Sequence, residues 1–192
     1  MSRHILAAGL IISVAYAAVH IAFADAALLT GAAPFRLSVR NYLGNVLGSG
    51  MVWGIFSYLM GKEFPGRWLK ALLAGTGIIV MMLAGHYALL VVFGVDNWRE
   101  AFEYNAQWFF LALLSGPVLG LAGAASARFC WFDYLAVLGF LLEPVVAGLV
   151  PGNSYLPRTT TIPGYFAAAT LWLIGAGFII WQRRARPKAQ QD

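Results

Sequence analysis

Between Trp68 and Phe93 the chain reads WLKALLAGTGIIVMMLAGHYALLVVF, a run in which Lys70 is the only formally charged side chain at neutral pH. At about 1.5 Å per residue a helix of this length crosses roughly 30 Å of hydrocarbon, so the run predicts a transmembrane helix. Comparable runs lie on either side of it, at about Ile5–Leu28, Val39–Met60, Ala106–Ala127, Trp131–Val150 and Gly164–Trp181. Together they predict an all-α fold: a polytopic transmembrane bundle of six spans that fills residues 1–192 as a single transmembrane domain.

The bulk properties agree. The 192 residues are 60% hydrophobic and only 11% charged, with a mean hydropathy of +0.72, where a soluble domain carries about 25% charged residues. The single cysteine, Cys130, excludes an intrachain disulfide and any CxxC redox or zinc motif. The net charge of +5 is explained by where the charges fall. Numbering the connections puts Arg3, Lys62, Arg67, Lys70, Arg128, Arg183, Arg184, Arg186 and Lys188 on one side, and Arg36, Arg40, Arg99 and Arg158 on the other. The positive-inside rule then predicts a multi-pass protein of the bacterial inner (cytoplasmic) membrane with both termini in the cytoplasm. The tail RRARPKAQQD reads as a stop-transfer anchor, and no nucleic-acid partner is expected. An alternative for the first span is a signal peptide cut after Ala22-Phe23-Ala24, before Asp25. The apolar run is long for a signal, and retention is the expected state.

Lipid gives helices no hydrophobic reason to associate, so close packing of small residues matters more. The second span carries Gly44-x-x-x-Gly48 and Gly50-x-x-x-Gly54, and the fourth carries Gly116-x-x-x-Gly120 followed by Ala124. In the first, Gly9, Ser13 and Ala17 form a stripe at i, i+4, i+8, read either as packing within the chain or as a surface for a membrane partner protein. Pro117 and Pro144 remove an amide donor from their helices, giving a kink or a broken helix that bares carbonyls to a cavity. The external segment DNWREAFEYNAQW (Asp96–Trp108) predicts a short interfacial helix over about 97–105, with Asn97 and Glu100 as a capping box. PGNSYLPRTTTIPG (Pro151–Gly164) reads as a polar connector or a lid.

Ionisable groups at depth are expensive in lipid and tend to face the bundle interior. Counting from the basic end, His20, His86 and Glu143 fall in the central-to-outer half. Asn41 and Asn45 share a face with Gly48 near the outer surface, and Asp25, Arg36 and Arg40 stand at its mouth. The polar set is therefore biased outward, while the opposite half reads as apolar and small. A pocket open to the outside is expected, with Glu143, His86, His20, Asn41, Asn45, Arg40, Trp108 and Tyr155 as its ligand-binding candidates. Trp98 and Tyr87 are further candidates for lining or covering it. Glu143 is expected either neutral or paired with His20, His86 or Arg40.

The run LLSGPVLGLAGAASAR (Leu113–Arg128), preceded by AGHYALL (Ala84–Leu90), resembles an uncharacterised family of small bacterial six-span membrane proteins, a resemblance that implies no activity. Ala18-x-x-x-Ala22, with Gly9, Ser13 and Ala17 beside it, is similar to the first helix of the substrate-binding S components of energy-coupling-factor transporters. That resemblance implies capture of a small molecule from outside and docking onto a coupling subunit through small residues.

The function expected is a small-molecule binding or transport subunit, since no P-loop and no long soluble segment supplies energy coupling. The alternatives are an accessory or assembly subunit of a larger membrane complex, a b-type haem electron carrier ligated through His20 and His86, and an intramembrane enzyme. For the enzyme no catalytic set is identified. HExxH is absent, and Ser115 beside Gly116 has no convincing base.

Overall fold

The computed structural model describes residues 2–24, 34–150 and 162–185. Asp25, Tyr155, Arg158, Arg186, Lys188 and most of the Pro151–Gly164 connector lie outside the described residues. Helices α1 (Ser2–Ala22), α2 (Pro34–Leu47), α3 (Gly50–Lys62), α4 (Trp68–Val92), α5 (Trp98–Phe102), α6 (Ala106–Ala125), α7 (Phe132–Val146) and α8 (Ile162–Ala185) follow in order, with no strand among the described residues. Five segments are long and apolar enough to cross a membrane: Ser2–Ala22, Phe35–Lys62, Trp68–Val92, Trp98–Ala125 and Ile162–Arg184. Large apolar side chains such as Ile11, Leu73, Phe110, Val118 and Leu173 are each more than half exposed. That is the pattern of a bundle whose outer surface meets lipid rather than water.

Two helices depart from the expected spans. The second, expected as one helix over Val39–Met60, is broken at Gly48–Ser49 into α2 and α3. The fifth, expected over Trp131–Val150, is only the 15-residue α7, about 22 Å long and short of a full crossing. Its end is built by Gly148, in the left-handed conformation at φ +67°. The Gly148 amide donates to the Val145 carbonyl at 3.1 Å and the Leu149 amide to the Pro144 carbonyl at 2.8 Å. This Schellman arrangement satisfies the last carbonyls and stops the helix. Gly94 closes α4 in the same way, with φ +70° and bonds from Gly94 to Val91 and from Val95 to Leu90. Pro117 and Pro144 both sit inside continuous helices.

The centre of the bundle is α3, α4 and α6, packed through glycines. A Cβ on Gly116 would lie 2.7 Å from the Thr76 Cα, and one on Gly75 would lie 2.8 Å from the Gly116 carbonyl oxygen. Gly120 faces the Ala71 carbonyl, and Gly123 faces the Tyr58 carbonyl of α3. Backbones approach to where no side chain fits, which maximises dispersion contacts where hydrophobic drive is absent. The Gly116-x-x-x-Gly120 pattern thus packs within the chain. Gly44 does not, since a Cβ there would meet nothing within 4 Å.

The α1 stripe also packs inward. Gly9, Ser13 and Ala17 are buried, Gly9 lies against Met82, and the Ser13 hydroxyl donates to the Met82 carbonyl at 2.6 Å. As a surface for a partner the stripe is therefore already covered by α4. Ala18 and Ala22 lie exposed on the other face.

These contacts bring the N-termini of α1, α4 and α7 and the C-termini of α3, α6 and α8 to one end, which carries Lys62, Arg67, Lys70, Arg128, Arg183 and Arg184. At the opposite end the capping box of α5 forms: Asn97 Oδ1 accepts from the Glu100 amide at 2.9 Å, and Glu100 Oε2 accepts from the Asn97 amide at 3.2 Å. The helix it starts covers five residues rather than the whole of 97–105.

Candidate functional site: a broken helix capped by Glu143

The break in the second span follows from Gly48-Ser49-Gly50. Ser49 has extended backbone angles (φ −62°, ψ 129°) and its hydroxyl oxygen accepts from the Val52 amide at 3.2 Å, so it is the N-cap of α3. A half-helix starting partway along an apolar span leaves its first amides without partners, a severe cost away from water. Glu143, from α7, supplies them. Its Oε1 accepts from the Gly50 amide at 2.5 Å, and its Oε2 accepts from the Met51 amide at 2.9 Å and from the Ser49 hydroxyl at 2.5 Å. The Trp53 amide donates to the Ser49 carbonyl at 3.2 Å, so every amide of the first turn is bonded. On the α2 side, the Gly48 amide donates to the Gly44 carbonyl at 2.9 Å, and the Trp53 indole N–H donates to the Leu47 carbonyl at 2.5 Å.

The carboxylate therefore sits on the positive end of a helix dipole and accepts charge-assisted hydrogen bonds. The expectation that Glu143 pairs with His20, His86 or Arg40 is corrected: its partners are backbone amides and a hydroxyl. Three donors converging on one carboxyl group are a more complete match than a single imidazole offers.

The histidines form a separate cluster on the other side of the break. His86 of α4 is 2% exposed and stacks on Tyr16 of α1 at 4.4 Å between ring centroids. His20 lies 4.6 Å from Tyr16 and 5.4 Å from His86, while Trp53 and Tyr87 stand 6.0 and 5.0 Å from His86. Gly48 is what lets this cluster reach the break, since a Cβ there would lie 2.6 Å from the Tyr16 hydroxyl. Trp53 bridges the two groups, touching His86 with its ring and the α2 carbonyl end with its N–H. The Arg40 guanidinium lies within electrostatic reach of His20. Two polar atoms here, His86 Nδ1 and Arg40 Nε, are buried with no hydrogen-bond partner.

The other expected residues are placed differently. Asn41 and Asn45 are half-buried on α2, and neither side chain makes a hydrogen bond among the described residues. Trp108 is 48% exposed on α6 and shares no ring contact with the histidine cluster. Trp98 is exposed and stacks on Phe102, away from the cluster. Two depressions lie between α7 and α8, and neither is lined by Glu143, His86, His20, Asn41, Asn45, Arg40 or Trp108.

A haem does not fit between the histidines. Axial ligation needs a macrocycle between the two imidazoles, yet Tyr16 is in ring contact with both and the histidines already touch edge to face. Among the described residues no three His, Cys, Asp or Glu side chains group as a metal site.

The basic end holds a polar network that sequence reasoning missed. The Lys62 ammonium donates to Asp133 Oδ1 at 3.0 Å and to Gln182 Oε1 at 2.7 Å, and the Tyr58 hydroxyl donates to the same Asp133 oxygen. Tyr58, Asp133 and Gln182 are each at most 5% exposed. The expectation of an apolar half at this end is thus corrected. Each residue stands near the end of its span and reads alone as an interfacial polar group. Only the crossing of α3, α7 and α8 buries them together.

No family model, curated protein or solved structure matches the chain.

Proposed function

We propose that the chain is a small-molecule binding or transport subunit of the bacterial inner membrane, without an energy-coupling module of its own. Its site is the α2–α3 break together with the His20–His86 cluster. The observation that carries this reading is the Glu143 carboxylate seated on the N-terminus of a half-helix that starts partway along an apolar span. Transporters build ion and substrate sites from such broken spans, because half-helix ends offer uncommitted donors and carbonyls at depth.

The topology proposed is six crossings with both termini in the cytoplasm. It counts α2–α3 as one crossing and α7 with the residues up to Val150 as another. The basic side chains gathered at one end support this orientation. The ligand then enters from the end where Arg36 and Arg40 stand.

The chemistry rests on counting donors. As a carboxylate, Glu143 accepts from Ser49, Gly50 and Met51. His86 Nδ1 and Arg40 Nε, buried and unpartnered, supply further contacts.

Native mass spectrometry of protein purified in mild detergent tests this reading. A retained small molecule is expected in the wild type and in Gly44→Ala, and its loss in Glu143→Gln and His86→Gln. Equal retention by all variants, or no retained species in any preparation, counts against it.

A further inference from the structure

We infer that the cleft between α7 and α8 at the basic end is a binding site for one anionic phospholipid, with a phosphate oxygen at Gln182 and Arg183 and an acyl chain along α7. Two adjoining spaces carry this. The first is a cavity of about 20 Å³ lined by Asp133, Tyr134, Val137, Ile179, Gln182 and Arg183. It admits a single oxygen atom rather than a whole headgroup. The second is an open groove of about 510 Å³, walled by Trp131, Leu135, Leu138 and Leu141 and sharing Tyr134, Val137 and Ile179 with the cavity. The shared residues make the two continuous, polar at the end of the bundle and apolar toward its middle, which is the profile of a lipid and not of a soluble anion.

Gln182 gives the polar end its specificity. It is 5% exposed and its Nε2 has no hydrogen-bond partner. Its orientation is fixed, because Oε1 accepts from the Lys62 ammonium at 2.7 Å and a flipped amide would set N–H against N–H. The unsatisfied group is therefore a donor, buried in a residue that lines the cavity. Asp133, the one acid in the cavity, is engaged by Lys62 at 3.0 Å and by Tyr58, so its charge is compensated. Arg183 is exposed beside it, and Arg184, also exposed, follows. Basic clusters at the end of a span select anionic over zwitterionic headgroups. Exposed Trp131 and Tyr134 sit where aromatic side chains meet the headgroup region.

The test is native mass spectrometry of the full chain released from nanodiscs of phosphatidylcholine with or without phosphatidylglycerol. One phosphatidylglycerol is expected to be retained per protein in preference to phosphatidylcholine. Arg183→Gln, at an exposed position, and Gln182→Glu, which keeps an acceptor for Lys62 but removes the free donor, are each expected to lower retention about tenfold. Leu138→Trp fills the groove from an exposed position and should lower it similarly with the headgroup residues intact. Inorganic phosphate should not displace the lipid, whereas displacement by phosphate would show a free-anion site and overturn the proposal. Equal retention of the two lipids by the wild type, or unchanged retention by all three variants, would also overturn it.

Discussion

Glu143 and Gly50 are 93 positions apart in sequence, yet the carboxylate Oε1 of one lies 2.5 Å from the amide nitrogen of the other. The contact joins α7 to the start of α3, and it explains two costly features together. A glutamate inside an apolar helix and a helix that begins partway along an apolar span are each unfavourable alone. Each satisfies the other.

Removing that carboxylate should destabilise the fold. Glu143→Ala leaves the Gly50 and Met51 amides without acceptors, at an expected cost of about 1–3 kcal/mol. Glu143→Gln keeps one acceptor oxygen and should cost about half as much. Thermal unfolding in detergent, monitored by circular dichroism, gives the order wild type, Gln, Ala. Indistinguishable unfolding of all three would show that the amides are served by something else.

Gly48 and Gly44 form a matched pair. A Cβ at Gly48 lies 2.6 Å from both the Tyr16 hydroxyl and the Gly44 carbonyl, whereas one at Gly44 meets open space. Gly48→Ala is expected to cost about 1–3 kcal/mol by overpacking and to shift Trp53 fluorescence as Tyr16 moves. Gly44→Ala should be neutral or stabilising by up to about 1 kcal/mol through helix propensity. Equal effects at the two positions would contradict the assigned packing.

The part-buried Lys62–Asp133 pair at the basic end should behave as a unit. Lys62→Met leaves Asp133 with its charge uncompensated, at an expected cost of about 3 kcal/mol, and Asp133→Asn should cost less because an amide still accepts. The double variant is expected to recover part of the loss. A double-mutant cycle in thermal stability with zero coupling energy would mean the 3.0 Å contact is not a working ion pair.

How much of this was legible depends on whether the signal is local. Trp68–Phe93 shows its span by composition alone, and Asn97-x-x-Glu100 shows its cap because both partners lie within four residues. The break at Gly48–Ser49 was also written locally, as a serine N-cap between two glycines, but the surrounding apolar run outweighed it. Counting along the helices sets His20 and His86 at similar heights, and in the structure their rings lie 5.4 Å apart. Their stacking on Tyr16, the partners of Glu143 and the Lys62–Asp133–Gln182 network are long-range contacts. No spacing rule encodes those, because they depend on which helix faces cross.

Asp96 offers a pH dependence outside the membrane-spanning segments. Partial burial, and then the nearby Glu100 carboxylate, push its pKa above the usual carboxylate value. A raised carboxyl pKa favours the protonated form in the fold, so its contribution is most favourable below the unfolded pKa and is lost as pH rises through the folded pKa. Asp96→Asn is therefore expected to raise thermal stability at neutral pH and to have little effect in acid. The opposite pH order would show that Asp96 is stabilised as an anion.

The most direct test of the account is the amide proton of Gly50. In protein labelled with ¹⁵N-glycine, its resonance is expected far downfield because it donates to a carboxylate, and it should move upfield in Glu143→Gln while the Gly44 and Gly177 amides stay in place. A Gly50 amide that is unshifted in the wild type, or unmoved by the substitution, would contradict the placement of Glu143 on the broken helix and the function proposed from it.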